Sequence, residues 1–436
     1  MGVHSIILSI NQVESLMKSE FEKNLEKYAK LIIKVGLNIQ PGQRLLIGSP
    51  RRDANGVPIE LAPLVRLITK NAYQAGAKFV EVLWEDDQVR LIRYQYAPRD
   101  SFEEYPTWRT DAKFEISKNN DAMLSVAAVN PDLLTGKDSD LIFTAHKSFY
   151  NHNKPAADLL RRGMGTWSIF TAPIKAWADK VFPDISSTER MTKFWDVIFD
   201  ICRVKEEDPI TAWENHINQL VIRSDFLNKK KYIALKYNAP GTDLTIGLPK
   251  GHIWKCANRT TKSGITQIVN LPTEEIYTTP HKDKVDGVIS FTKPLPLEVL
   301  IDGLKLEFSK GKVIEASAKK GEKYLNKLLK TDEGASRLGE VALVPNSSPI
   351  SQLGILFYNG LIDENASCHI ALGNGIKGCL KNGLDMSKEE FAAAGGNQCL
   401  FHIDFMVGSE ELDIDGIKED GAVEPIMRKG EWAFKV

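Results

Sequence analysis

The segment 400–406 places an imidazole, His402, and a carboxylate, Asp404, inside an otherwise apolar run. Side chains of a strand alternate between its two faces, so these two groups project to one side, about 7 Å apart along the strand. The opposite face is then wholly apolar, with Phe401, Ile403 and Phe405. This arrangement suits two ligands of one metal site, although on spacing alone a satisfied polar pair on the solvent face of a sheet is the commoner case.

Three other segments carry residues that could bind metal or transfer protons. Glu274 and Glu275 are adjacent carboxylates after a proline turn, where one could be a ligand and the other a base, or both could be solvated. Glu340 stands at the mouth of an apolar strand pattern and is either a site residue or a strand-end charge. His369 lies in the apolar run 368–372 and is either a ligand or a core histidine.

Several common catalytic motifs are excluded. The stretch 373–378 matches G-x-G-x-x-G, but Gly383 follows so soon that no long helix can begin at its third glycine, and we reject dinucleotide binding there. The sequence contains no phosphate loop of the G-x-x-x-x-G-K-[ST] type, no G-x-S-x-G elbow and no H-E-x-x-H pair. These absences remove the commonest nucleotide hydrolase, serine hydrolase and zinc protease interpretations.

The first half of the chain alternates helical and strand patterns. Amphipathic helices are predicted over 14–35 and 60–76, the first with an apolar face made of Leu25, Tyr28, Ala29, Ile32 and Ile33. Apolar strands are predicted at 44–48, 79–84, 122–129 and 141–145. This order favours an α/β layer with parallel strands, and a largely helical segment, 155–220, follows it.

Beyond the lysine triplet 229–231 the sequence becomes rich in strand patterns. A hairpin is predicted with its turn at Ser309-Lys310-Gly311, between strands 304–308 and 312–318. Further strands are predicted at 285–291, 341–344 and 400–407. We therefore expect an α/β protein of two domains, with an N-terminal α/β domain and partly parallel sheet over 1–228 and a strand-rich, α+β C-terminal catalytic domain over 229–436.

Composition narrows the class of protein further. Of 436 residues, 56 are Lys or Arg and 57 are Asp or Glu, so the net charge is −1 and gives no electrostatic footprint for nucleic acid or an anionic membrane. The five cysteines are dispersed and odd in number, which argues against a disulfide framework and a thiolate zinc site. The apolar stretch 3–10 lacks a basic flank and a cleavage site, so it is not typical of a signal peptide, and no apolar run is long enough for a transmembrane helix.

Four motifs occur in a characteristic order. They are N-x-P-T-E-E at 270–275, R-L-G-E-V-A-L-V-P at 337–345, D-E-N-A-x-C-H-x-A-L-G at 363–373, and H-x-D-F-M-x-G at 402–408. In this order they resemble the thermophilic aminopeptidase family, metallopeptidase family 29. The resemblance runs nearly end to end, is densest over 270–432 and is thin between about 90 and 225.

This resemblance implies a two-metal active site in the C-terminal half. The implied ligands are Glu274, Glu340, His369, His402 and Asp404, and Glu275, if it is not itself a ligand, is the residue we expect to act as general base. Three carboxylates and a bridging hydroxide would balance two divalent ions, so the cluster would be formally uncharged. Oxygen ligands with two imidazoles suit Zn, Co or Mn, with Mg as a further option.

One position departs from the family pattern. The family commonly has a tyrosine seven residues after the first histidine, where it contributes to the metal site, and this chain has Ile376 there. An aliphatic side chain cannot replace a phenol oxygen. Another oxygen such as that of Tyr358 or a water then takes its place, or one ion binds weakly, or the activity is altered.

We therefore expect a metal-dependent aminopeptidase that hydrolyses N-terminal residues from peptides through a water activated by two metal ions. One alternative is a metal-binding homologue with weak or lost catalysis because of Ile376. A more distant alternative is a nucleotide or sugar binder, against which the missing phosphate loop counts. The resemblance further implies a homodimer that acts on peptide substrates. From the dispersed cysteines and the balanced charge we expect a cytoplasmic protein that binds neither nucleic acid nor membrane.

Overall fold

The computed structural model describes residues 19–48, 56–128, 130–297 and 299–436. The apolar stretch 3–10, the first residues of the helix predicted over 14–35, and Val129 lie outside these ranges. In the part of the chain that is described, no helix is both long and apolar enough to cross a bilayer.

The α-helices alternate with strands in the first half and become short in the second. In chain order they are α1 Glu20–Leu31, α2 Ala62–Gln74, α3 Asp87–Tyr96, α4 Thr107–Lys118, α5 Ser139–Arg161, α6 Lys175–Val181, α7 Arg190–Ile201, α8 Pro209–Lys230, α9 Glu322–Leu328, α10 Pro349–Gln352, α11 Gly360–Asp363 and α12 Lys388–Ala393. A π-helical turn, Ile32–Leu37, extends α1.

The strands are short, and most lie in the second half. In chain order they are β1 Arg44–Gly48, β2 Val57–Pro58, β3 Phe79–Val82, β4 Trp84–Glu85, β5 Ala122–Ala127, β6 Thr166–Thr171, β7 Ala234–Ala239, β8 Thr242–Gly247, β9 Asn258–Thr260, β10 Thr266–Ile268, β11 Asn270–Leu271, β12 Ile276–Thr278, β13 Val285–Ser290, β14 Leu295–Pro296, β15 Leu300–Ile301, β16 Lys305–Ser309, β17 Lys312–Ser317, β18 Leu338–Leu343, β19 His369–Gly373, β20 His402–Met406, β21 Asp413–Ile417, β22 Val423–Arg428 and β23 Glu431–Trp432.

A five-stranded sheet in the order β11-β6-β5-β1-β3 forms the centre of the first half. Every neighbouring pair in it is parallel, as the alternation of helices and apolar strands predicted. Its edge strand β11 comes from the second half of the chain and leads directly into Glu274 and Glu275. The loop that carries these two glutamates is therefore anchored to the N-terminal sheet.

Two larger antiparallel sheets organise the second half. One has eight strands in the order β17-β16-β13-β8-β7-β21-β22-β23, and the other has four in the order β12-β18-β19-β20. The predicted hairpin is confirmed as β16 and β17, and Lys310 and Gly311 at its turn both have positive φ, as a tight hairpin turn requires. The α/β class with an added strand-rich half is thus confirmed.

The predicted apolar face of the first helix is also confirmed. Leu25, Tyr28, Ala29, Ile32 and Ile33 are all buried. The helix begins where Ser19 and Glu22 form a capping box, which satisfies two amide groups at its first turn. The regular helix is nevertheless shorter than predicted, because it passes into the π-helical turn.

One prediction in the first half is wrong. Residues 141–145, predicted as a strand, lie inside α5, where Asp138 caps the helix and buried side chains recur at Ile142, His146 and Phe149. A five-residue apolar run does not by itself distinguish a strand from the buried face of a helix. The segment 155–220 is largely helical, as predicted, and also contains the buried parallel strand β6.

One hydrophobic core extends through both halves of the chain. It includes Tyr28, Trp177, Leu271 and Phe357, which are all fully buried. The Trp177 indole also donates a hydrogen bond to the Phe357 carbonyl, 2.5 Å away. This packing holds the four-stranded sheet against the N-terminal sheet, while the division near residue 228 stays a prediction.

Candidate metal centre

One face of the four-stranded sheet carries the chemistry. Across the ladders, Ala342 lies opposite His369, Glu340 opposite Ala371, and Ala371 opposite Asp404, and Gly373 lies opposite His402. Side chains directly opposite each other share a face, and so do residues two apart in one strand. Glu340, His369, His402 and Asp404 therefore project from the same side of the sheet.

The other face of the same strands is apolar. Ile403 and Phe405 alternate with His402 and Asp404 in β20 and are 3% and 2% exposed. Val341 and Ile370 on the neighbouring strands are fully buried with them. The division of β20 into an apolar and a polar face, predicted from its sequence alone, is confirmed.

A small residue leaves room at the middle of the polar face. Ala371 lies between Glu340 and Asp404 on the neighbouring strands. Adjacent strands are about 4.8 Å apart, so the two carboxylate-bearing backbones are about 10 Å apart and their side chains can converge above this methyl group. A longer side chain at 371 would fill that space.

The ligand atoms form two overlapping groups. Glu340, His402 and Asp404 form one, and Glu275, Glu340 and His369 form the other; within each group the atoms lie within 4.8 Å of one another. His402 Nε2 is 2.8 Å from Glu340 Oε2 and 3.3 Å from Asp404 Oδ1. His369 Nε2 is 3.1 Å from Glu275 Oε2. Glu340 belongs to both groups.

Backbone carbonyls orient both imidazoles. His402 Nδ1 lies 2.7 Å from the Asn374 carbonyl oxygen, and His369 Nδ1 lies 3.1 Å from that of Ser367. A carbonyl only accepts hydrogen bonds, so each Nδ1 donates and carries a proton. Nε2 is then the nitrogen of each ring that faces the carboxylates, as metal-binding histidines require.

The adjacent glutamates point to different partners. Glu274 Oε1 accepts a hydrogen bond from Arg203 Nη2 at 2.7 Å, and its Oε2 lies 3.6 Å from His216 Nε2. Arg203 is held in turn over the ring of Trp213. The structure thus places Glu274 in an ion pair with the N-terminal half. It places Glu275, rather than Glu274, among the ligand atoms.

A further carboxylate, Glu364, lies at this centre and had no role in the sequence analysis. Burial raises the pKa of Glu364 well above its ordinary value, and the carboxylates of Asp404 and Glu275 raise it further. Only its place in the D-E-N-A motif could have signalled it. Ile376, at the position where the family has tyrosine, lines the same cavity as these groups.

Electrostatics show how strongly the centre favours cations. Burial raises the pKa of the Glu340 carboxyl, and Glu275 and Asp404 add to this while His402 opposes it. Burial opposes protonation of His369, yet the carboxylates of Glu275, Asp404 and Glu340 raise its pKa to about 10. In the absence of a cation, the clustered carboxylates are therefore compensated by protons on groups such as Glu340 and His369. A bound metal ion would displace these protons.

The residues present fit divalent metal ions. Asp404 Oδ1 is buried and lies 3.3 Å from His402 Nε2 but makes no hydrogen bond among the described residues, so it can still bind a cation. The carboxylates of Glu275, Glu340, Glu364 and Asp404 share one buried space, which is costly unless cations neutralise them. Oxygen and imidazole donors suit Zn, Co or Mn.

The centre opens into a large cavity. Its volume is about 1190 Å³, and all the ligand groups named above lie on its wall. This exceeds the usual range of about 300–1,000 Å³ for sites of drug-sized molecules.

Comparisons with known proteins agree with this geometry. A family model described as thermophilic metalloprotease (M29) matches residues 21–432. Aminopeptidase 2 of Geobacillus stearothermophilus is 45% identical over 419 residues, covering 96% of this chain and 100% of that protein. Aminopeptidase T of Thermus thermophilus is 39% identical over 413 residues, covering 94% and 99%.

A solved structure extends the similarity to the fold. Wild-type AmpT from Thermus thermophilus superposes with a TM-score of 0.87 at 38% identity, covering 95% of this chain and 100% of that one. Sequence, fold and a buried group of carboxylates and imidazoles thus agree over nearly the whole length. The chain belongs to the thermophilic metalloprotease family (M29) and is a metallo-aminopeptidase.

Proposed function

We propose that this enzyme removes N-terminal residues from peptides by means of two divalent metal ions. The observation that carries the proposal is the pair of ligand groups that share Glu340. In this assignment Glu275 and His369 would hold one ion, His402 and Asp404 would hold the other, and Glu340 would be available to both. When bound, such a pair lowers the pKa of a shared water and polarises the scissile carbonyl.

The assignment of Glu275 as a ligand changes the choice of general base. Glu364 is the remaining carboxylate of the centre, and it lies close to both Asp404 and Glu275. We assign to Glu364 the transfer of the proton from the attacking water to the leaving amine. A raised pKa suits a group that must accept and then return a proton near neutral pH.

Removal and return of metal tests this function. A chelator should abolish hydrolysis of leucine p-nitroanilide, and added Co, Zn or Mn should restore it. Glu340→Ala should remove both the activity and the metal binding. Asp385→Ala is the matched control, because Asp385 lines the same cavity outside the centre. Metal-independent activity in Glu340→Ala would refute the proposal.

A second candidate function rests on Ile376, which lines the cavity at the position of the family tyrosine. In this alternative the protein binds metal but turns over substrate weakly. The alternative predicts that Ile376→Tyr increases kcat on leucine p-nitroanilide at least tenfold with unchanged metal content. If Tyr358, which lies on the same cavity wall, already supplies the phenol oxygen, Ile376→Tyr should not increase kcat. Ile376→Leu is the control for a change of shape alone.

We propose, in addition, a cytoplasmic homodimer. Tyr96, Val89 and Trp108 on helices α3 and α4 are 79%, 65% and 57% exposed, and large apolar side chains left in water favour association. The five cysteines are free thiols, which suits a reducing compartment. Light scattering of the wild type against Trp108→Glu tests the dimer, and a wild type that is monomeric at micromolar concentration would contradict it.

A further inference from the structure

Away from the metal centre, the cavity wall is positively charged. Eight lysine and arginine side chains line the cavity, against three carboxylates outside the centre, Asp158, Asp225 and Asp385. Asp158 is already shared by Lys154 and Arg161, at 3.5 and 3.1 Å. The protein as a whole carries almost no net charge, so this local excess of cations calls for a specific explanation.

Lys255, one of these cations, is connected through its backbone to the segment that carries Glu275. Its backbone pairs with that of Tyr277, two residues after Glu275, by hydrogen bonds of 2.9 and 2.8 Å. Its ammonium has no ion pair or hydrogen bond to any described residue. It lies beside the loop that follows His369, because Nζ would be only 3.7 Å from a Cβ placed on Gly378.

Arg259 is a second cation without a carboxylate partner among the described residues. Its guanidinium donates a hydrogen bond to the Leu160 carbonyl at 3.2 Å and another to that of Arg161, both in the last turn of α5. These contacts fix the group but leave its charge uncompensated. The Cys379 thiol lies within electrostatic range of Lys255 and Arg259 and also of Glu340 and Glu275. Lys255, Arg259 and the metal centre therefore line one cavity.

We propose that Lys255 and Arg259 form an anion subsite that binds a carboxylate of the peptide on the leaving-group side of the scissile bond. The inference rests on the proposed aminopeptidase function and specifies its substrate class. Glu275 and Tyr277 are two residues apart, about 7 Å along an extended chain, and a bound peptide advances by about 3.4 Å per residue. The carboxylate thus lies one to three residues beyond the cleaved bond.

Two sources of carboxylate fit this chemistry. One is the C-terminus of a di-, tri- or tetrapeptide, and the other is an acidic side chain downstream of the cleaved bond. An ammonium without a partner among the described residues can pair with either, and a charge-assisted contact of this kind contributes about tenfold or more in affinity. The enzyme then favours short free peptides or acidic sequences over neutral, blocked ones.

Binding and turnover of matched peptides test the subsite. Calorimetry would compare Leu-Ala-Ala as the free acid, Leu-Ala-Ala-amide and Leu-Ala-Glu-amide on the metal-free full-length protein, and kinetics would use the same peptides on the metal-loaded enzyme. The free acid should bind about tenfold more tightly than the neutral amide. Leu-Ala-Glu-amide distinguishes the two sources, because only side-chain recognition restores its affinity.

Substitution of the lysine completes the test. Lys255→Met should abolish the preference and raise KM for the charged peptides about tenfold with little change in kcat, while Lys255→Arg should retain the preference. Leucine p-nitroanilide carries no carboxylate, so its hydrolysis by Lys255→Met should equal that of the wild type. Lys312→Met on the exposed strand β17 is the control. The subsite would be refuted if the wild type bound the free acid and the amide with equal affinity, or if Lys255→Met lost the same fraction of activity on all substrates. If the wild type hydrolysed no peptide but still bound the free acid more tightly than the amide, only the proposed function would be refuted.

Discussion

Glu274→Gln and Glu275→Gln should impair the protein in two different ways, because the two carboxylates contact different partners. Glu274 pairs at 2.7 Å with Arg203, and the two side chains are only 6% and 16% exposed. Removal of one charge from a buried pair costs about 3–5 kcal/mol. Glutamine keeps an oxygen that accepts the Arg203 hydrogen bond, so we expect the lower end, about 3 kcal/mol of unfolding free energy.

Glu275→Gln should instead weaken metal binding. The carboxylate is 3.1 Å from His369 Nε2, inside one of the two ligand groups. Loss of even an outer partner of a metal ligand costs about 10–100-fold in affinity, so loss of a direct ligand should cost about 100-fold or more. With metal at 100 times the wild-type Kd, bound metal stabilises the wild type by about 2.7 kcal/mol, and a 100-fold weaker site leaves about 0.4 kcal/mol.

Urea unfolding with and without Co²⁺ separates the two effects. Glu274→Gln should unfold at lower urea concentration in both conditions and keep the full metal-dependent shift. Glu275→Gln should lose most of that shift, together with kcat/KM on leucine p-nitroanilide. The reverse pattern, with the metal response lost in Glu274→Gln and kept in Glu275→Gln, would refute the assignment of Glu275 to the centre.

Three further predictions concern the floor of the site, the proton transfer and a buried lysine in the first half. Ala371→Leu should fill the space between Glu340 and Asp404 and abolish metal binding in calorimetry, with circular dichroism unchanged; normal metal content would contradict the packing described. Glu364→Gln should lower kcat about 100-fold and flatten its pH profile while metal content stays normal, and an unchanged kcat would exclude the proton-transfer role. Burial lowers the pKa of Lys113 to about 8 in the folded protein, whereas a lysine in the unfolded chain has a pKa of about 10.4. Between these two pH values the unfolded chain binds one proton more than the folded protein. The unfolding free energy should therefore rise with pH across that window, by up to roughly 3 kcal/mol. Lys113→Met should remove this rise in urea titrations from pH 7 to 10, and the same slope in both proteins would contradict it.

The sequence was most informative where a regular period governs both the backbone and the chemistry. The alternation in β20 predicted which side of the strand carries His402 and Asp404, and the structure has that arrangement. The same rule would have favoured Glu275, because Tyr277 lies opposite Ala342 on the ligand-bearing face and residues two apart share a face. The sequence alone does not show where β12 starts after the proline turn, so this rule does not assign Glu275 to that face without the structure.

Other features depend on contacts distant in sequence. The pairing of Glu274 with Arg203 joins residues 71 positions apart, and no local pattern reports it. Glu364 is not part of a repeating pattern of polar residues in the sequence. It lies in a short helical turn on the cavity wall, and only the tertiary structure brings it there. The strand prediction for residues 141–145 is wrong for another reason, since their local apolar run fits a strand and a buried helix face equally well.

The pairing of β11 with β6 has a consequence for the order of events during synthesis. The edge of the parallel sheet at Ile169 is complete only after Asn270, its partner in β11, has been synthesised. At about 5–20 residues per second, the roughly 100 intervening residues take about 5–20 s to emerge, and during that time one side of β6 is without its final neighbour. An open strand edge can pair with another chain. The nascent protein is therefore most vulnerable to aggregation just before the glutamates of its metal centre leave the ribosome, and closure of that edge and delivery of Glu275 to the site are one event.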